Sequence, residues 1–301
     1  MSKAHTLSKF LVLVCLTLAV AAGAEAQTRT FISGVGNDAN PCSRTAPCRT
    51  FAGAFVNTTT GGEISVLDPG SYGALTITKA ITIDGGTGSG WGSILASAVN
   101  GITVNITTNL ASDKVILRHL SINGNNAAGG QSGIRFLDGA ELVVQNVELF
   151  NFSGSGILVS QSQSAKVTLD HVRIDHCVTG LSLSTSTGEV VIMARNLGVQ
   201  KFTNGITAGT NVRLGLNDSV IAHGTTGLAT TGANSIINAD DIFVSYCATG
   251  VSGGGGSSIN LSDSVIAQNS TGVSGTVNSF QGNSLLNNTV PGVFSATTSK
   301  Q

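Results

Sequence analysis

Beyond its N-terminal stretch the chain alternates apolar and polar positions in short runs, and the runs return at a nearly fixed interval. A glycine followed by an apolar-x-apolar triplet appears as Gly133-Ile-Arg-Phe, Gly156-Ile-Leu-Val, Gly180-Leu-Ser-Leu and Gly205-Ile-Thr-Ala. It continues as Gly227-Leu-Ala-Thr, Gly250-Val-Ser-Gly, Gly272-Val-Ser-Gly and Gly292-Val-Phe-Ser, at spacings of 23, 24, 25, 22, 23, 22 and 20 residues. A second, polar column marches in step: His119, Asn146, His171, Asn196, Asp218, Asp241, Asp263. Two residues before each stands Leu117, Val144, Leu169, Ala194, Leu216, Ala239 or Leu261. Three residues after stands Ile122, Leu149, Ile174, Val199, Ile221, Val244 or Ile266.

Period-two alternation predicts half-buried strands, and each unit holds three of them: Gly180 to Leu183, Val190 to Ala194 and Leu197 to Val199 in one repeat. A unit of this size cannot close its own core. Stacking units does so and gives every strand a parallel neighbour. The polar column falls between the second and third strands, where Asn and Asp tolerate a tight bend. A leucine-rich repeat would show one Leu-rich strand and a helix-like arc per unit, so three alternating segments favour a β-helix.

These columns resemble the right-handed parallel β-helix proteins of the pectin-lyase-like class, with three sheets and an Asn-rich bend between the second and third. The resemblance covers nearly all of the chain after residue 26. It implies an all-β, single-stranded right-handed parallel β-helix, a three-sheet solenoid of about 8–10 coils. The segment with Asn37-Asp38, Asn40-Pro-Cys42, Pro47-Cys48 and Thr50-Phe51 looks like the entry of secreted β-helix proteins. Thr50 is placed to cap a short helix from Phe51 to about Val56, which would cover the open end of the core. The expected organisation is a signal peptide over 1–26, a cap with a disulfide over 27–60, and the solenoid over 61–301.

The N-terminus carries Lys3 and Lys9, an apolar run from Phe10 to Ala22, and Ala24-Glu25-Ala26 in the small-x-small form of a cleavage site. Export is expected, to the extracellular space or a periplasm, with no membrane insertion after cleavage. The whole chain has 15 basic and 16 acidic residues, and losing Lys3, Lys9 and Glu25 leaves it slightly acidic. It has no electrostatic reason to seek nucleic acid. Charged residues are only 10% of the chain, so solubility falls to hydroxyls and amides.

Cys42 and Cys48, close in a turn-rich segment of an exported chain, are expected to form a disulfide. Cys177 and Cys247 share a column with Phe202 but lie three rungs apart, about 14 Å at the spacing of a parallel sheet. That is too far for a disulfide, and two buried, inert thiols are predicted.

In the enzymes of the resembled class, acidic residues on the first sheet do the chemistry. Here the outward residues of that sheet are Thr103, Arg135, Leu158, Ser182, Thr207, Ala229, Ser252 and Ser274, with no carboxylate among them. Glycoside hydrolysis needs two flanking carboxyl groups, and polyuronate elimination wants a base with Ca²⁺-holding acids. Asp240-Asp241 resembles the paired aspartates of polygalacturonases but falls at the bend, and reads as solvated bend acids. No cofactor and no metal is expected, because His171, His176 and Asp175 have no assured convergence. A different surface gathers chemistry. Arg173 and Asp175 point outward beside His176, and the following rungs bring Lys201, His223, Phe243 and Tyr246. The first expectation is therefore a non-catalytic or degenerate secreted β-helix that engages polysaccharide or another cell-surface polymer through these residues. The alternative is a polysaccharide lyase or glycoside hydrolase with a relocated site, using Arg173, His176 and Tyr246 as catalytic groups.

Overall fold

The structure is a computed structural model, which describes residues 27–86, 91–108 and 111–298. The expected signal peptide lies outside the described residues. The chain winds into a parallel β-helix of about 8 turns, every strand pairing of which is parallel. Parallel strand-crossover-strand connections of this kind are right-handed.

The columns seen in the sequence are the register of the ladder. Leu117 pairs with Val144, which pairs with Leu169, and the row continues through Ala194, Leu216, Ala239 and Leu261. This row and the one from Ile122 to Ile266 are buried and form part of one continuous core. Each rung supplies one apolar side chain per inward position, so the core is a stack of like on like rather than a jigsaw of distant segments.

The polar column does turn the chain. His119, Asn146, His171, Asn196, Asp218, Asp241 and Asp263 all have left-handed backbone, with φ between 45° and 56°. A single left-handed residue redirects a strand without interrupting its pairing, which is why Glu141–Gln161 and Ala165–Thr185 run as strands through two bends each.

The repeating glycines serve close approach. None from Gly101 to Gly272 in that column has positive φ. A Cβ at Gly180 would lie 2.5 Å from the carbonyl oxygen of Gly205 on the next rung and 2.3 Å from Val199. The same carbonyl of the following glycine blocks Gly156, Gly205 and Gly227. Backbone meets backbone here, and any side chain would push the rungs apart.

The N-terminal end is closed as the sequence suggests. The helix Phe51–Asn57 is capped by Thr50, whose side chain accepts from the Gly53 N–H at 3.0 Å, and it buries Phe51 and Ala54. Asp38 in turn accepts hydrogen bonds from the Arg49 and Thr50 N–H groups. Cys42 and Cys48 form the disulfide. The strand Gln27–Ile32 pairs with Thr58–Val66, so this segment also contributes the first rung of the second sheet. Among the described residues, no helix is long and apolar enough to cross a membrane.

Candidate functional site

Five residues beyond each bend from Asn146 to Asp263 the chain turns again, and Asn287 continues the column. Asn151, His176, Lys201, His223, Tyr246, Gln268 and Asn287 all have φ between 52° and 67°. Left-handed backbone suits Gly and Asn; a longer side chain there costs about 1 kcal/mol or more. Four successive rungs nevertheless place His176, Lys201, His223 and Tyr246 at this strained position, and all four are exposed. The sequence pattern marks the residues but not the backbone state, because neither Lys nor Tyr signals a left-handed turn.

Arg173 and Asp175 stand outward on the third sheet, one rung from Gly198 and Gln200 respectively. The Asp175 carboxylate is shared: His176 Nδ1 is 3.0 Å from one oxygen and Lys201 Nζ 3.7 Å from the other. The first is an ion-pair approach without hydrogen-bond alignment, since that oxygen has no hydrogen-bond partner. His223 and Tyr246 stack on neighbouring rungs, ring centroids 4.9 Å apart and planes within 4°. Each ring therefore turns one face to the other, and both residues are exposed. Phe243 is 38% exposed and pairs in register with Val220 and Val265.

Two open depressions flank the bend column. One, of about 350 Å³, lies beside Arg173, Asp175, Gln200 and Asp218, and exists because Gly198 has no side chain between its neighbours. A Cβ at Gly198 would meet nothing nearer than Arg173 Cγ at 3.9 Å. The other, of about 370 Å³, is bordered by His176, Lys201 and His223. Arg173 and His176 share a rung. Tyr246 lies three rungs along, about 14 Å away, so Arg173, His176 and Tyr246 do not converge on one reacting atom.

The remaining predicted positions are equally plain. Thr103 to Ser274 form one column on the outside of the first sheet, although Ala229 is buried between larger neighbours. Asp241 occupies a bend, and Asp240 is the last outward residue of the second sheet, where its carboxylate accepts a hydrogen bond from Ser262. His171 turns to Asp170, with 2.7 Å between Nδ1 and the carboxylate, and away from His176. No group of three His, Cys, Asp or Glu among the described residues is arranged to hold a metal ion. Cys177 and Cys247 are separate and buried, in register with Phe152, Phe202 and Gly224. Burial pushes the Cys177 thiol up to about 11 and raises that of Cys247, so neither is a ready nucleophile.

No protein-family model matches the chain, and no curated protein matches it in sequence. Among solved structures it is similar to the pectate lyase Pel9A, with a TM-score of 0.50 and 14% identity over 85% of this chain and 68% of that one. What the two share is the fold. A rhamnogalacturonan lyase (TM-score 0.41, 10% identity, 83% of this chain and 72% of that one) also matches. So does the GH136 lacto-N-biosidase from Eubacterium ramulus (TM-score 0.36, 8% identity, 98% and 70%). This is the pectin-lyase-like β-helix architecture, on which activity is decided by local residues and not by the scaffold.

Proposed function

We propose that the protein is an exported, non-catalytic β-helix that holds a polysaccharide along its third sheet and second bend. The observation that carries this reading is the left-handed column. His176, Lys201, His223 and Tyr246 occupy four consecutive rungs in a backbone state that Asn151 and Asn287 fill at less cost elsewhere in the same column. Side chains kept there against backbone preference form a regular row at the rung spacing, suited to a repeating polymer lying along the axis. Arg173, Asp175 and Phe243 border the row. The fold shared with a pectate lyase makes polysaccharide the polymer class to try first.

The absence of carboxylates along the first-sheet column favours binding over cleavage. A relocated lyase or hydrolase centre is the second reading, favoured by the open depression beside Arg173. Incubation of the protein with neutral and acidic polysaccharides separates the two. Retention on insoluble polymer without new reducing ends or unsaturated uronate absorbance is the expected result. Arg173→Ala and Tyr246→Ala should each weaken retention, and retention indifferent to both would remove this surface from consideration. Cleavage that Arg173→Ala and His176→Ala abolish would replace binding by catalysis.

A further inference from the structure

A third depression, of about 350 Å³, opens on the outer face of the second sheet, across the first bend from the surface just described. Two register columns make its floor. Gly215, Asn238 and Asn260 follow one another in the first, which continues to Asn278 just beyond the depression, and Asn217, Asp240 and Ser262 in the second. Phe280 lines the downstream end, tied by its N–H to the Leu261 carbonyl at 2.8 Å. The upstream end is open because Gly215 has no side chain, and the nearest atom to a Cβ there would be Ile192 O at 3.9 Å.

The amides form a ladder. Asn260 Nδ2 donates to Asn238 Oδ1 at 2.8 Å, and Asn278 Nδ2 donates to Asn260 Oδ1 at 2.9 Å. A side-chain amide has two N–H donors and two acceptor lone pairs. The ladder uses one of each on Asn260, which leaves a donor and an acceptor on the same side chain free to face a ligand. Among the described residues, no Lys, Arg or His lines the depression, and its one formal charge is Asp240.

We propose that this depression is a second binding site, specific for a neutral glycan segment lying along the ladder. Glycan hydroxyls donate and accept at once, which matches paired amide donors and acceptors. Phe280 supplies an apolar face at the end of a row about 10 Å long from Asn238 to Asn278. A polyuronate would bring carboxylates to Asp240, and the cation of its own column, Arg195 two rungs upstream, is already paired with Asp170. A wholly apolar ligand would strip water from the amides and return no hydrogen bond. The inference rests on the polysaccharide reading for its polymer class, but it uses none of the same residues.

The test measures binding of neutral gluco-, manno- and galacto-oligosaccharides, and of oligogalacturonate of matched length, by calorimetry on the full protein. At least one neutral oligosaccharide should bind, more tightly than oligogalacturonate. Gly215→Thr, which fills the open end with a strand-favouring residue, should lower that affinity at least tenfold while leaving the melting temperature within a few degrees. Asn260→Ala should lower it by about fivefold. Failure of every neutral oligosaccharide to bind, or binding untouched by both substitutions, overturns the site. Retention on insoluble polymer that Arg173→Ala abolishes, with no neutral oligosaccharide bound in calorimetry, would sink this inference alone. The reverse would sink the third-sheet reading alone.

Discussion

The outer face of the second sheet joins its rungs in two different ways along its length. Upstream it uses charge. Glu63 meets Arg29 at 3.0 Å and Arg118 at 3.2 Å, and Asp84 holds Arg118 at 3.0 Å and His119 at 2.9 Å. Asp170 is held by Arg195 and His171, both at 2.7 Å. Downstream, from Asn238 to Asn278, it uses amides bonded to one another. In-register stacking explains the contrast. Like charges one rung apart repel, so a charged column must alternate, as Lys114, Glu141 and Lys166 do. An amide carries donor and acceptor together and can therefore repeat itself. The upstream half is consequently tuned by pH, and the downstream ladder is joined by neutral amides.

The largest expected effect would erase the comparison by loosening both halves. Gly180→Ala drives a methyl into the Gly205 carbonyl and should cost about 3 kcal/mol, read as a lower urea midpoint. A midpoint within error of the parent would show that the glycine column is not a close-approach contact.

Asp84→Ala comes next and acts on the upstream half alone. Asp84 is 8% exposed, and its loss leaves Arg118 with Glu63 alone and takes the carboxylate from His119 Nδ1, for about 2 kcal/mol. Asp170→Ala should cost less, because Arg195 and His171 are both well exposed and water replaces their partner. Equal costs at the two sites would argue that partner exposure does not set the scale.

Acid sharpens the same contrast. Burial pushes the Asp84 carboxyl up, but the His119 hydrogen bond, the Gly86 N–H and the Arg118 charge outweigh it, and its pKa lies below the ordinary value. At Asp170 the Arg195 hydrogen bond leads the lowering. A carboxyl lowered in the folded state contributes stability above its unfolded pKa, near about 4, and loses it as pH falls through the folded value. Stability should therefore drop below about pH 4. Asp84→Asn should flatten that acid limb in denaturation curves taken at successive pH values, and an unchanged limb would assign acid sensitivity elsewhere.

The smallest effect is Asn260→Ala, about 0.5 kcal/mol with no pH dependence, since it removes two neutral amide contacts, one exposed and one half-buried. A loss as large as that of Asp84→Ala would make the ladder a structural clamp and not a ligand surface.

Much of this is legible in the sequence. The inward columns, the first bend from His119 to Asp263, the capping role of Thr50 and the separation of Cys177 from Cys247 all follow from alternation and spacing. The second bend was harder to read. Its row was visible as recurring polar and aromatic residues, but Lys201 and Tyr246 hid its left-handed backbone. The amide ladder was hidden too, because Asn238, Asn260 and Asn278 are separated by 22 and then 18 residues. Loop lengths change between those rungs while the register does not.

What the sequence determined by itself is the repeat, and with it the fold, because an apolar pattern repeated many times has one economical way to bury itself. Only the tertiary structure decided which polar side chains meet across rungs, which glycines are crowded and which leave a depression. Those depend on register between segments about twenty residues apart. Gly180 belongs to the repeating glycine column and Gly215 does not, but neither position shows in sequence how much space lies beside it. One faces a carbonyl 2.5 Å from where its Cβ would be, and the other faces open space.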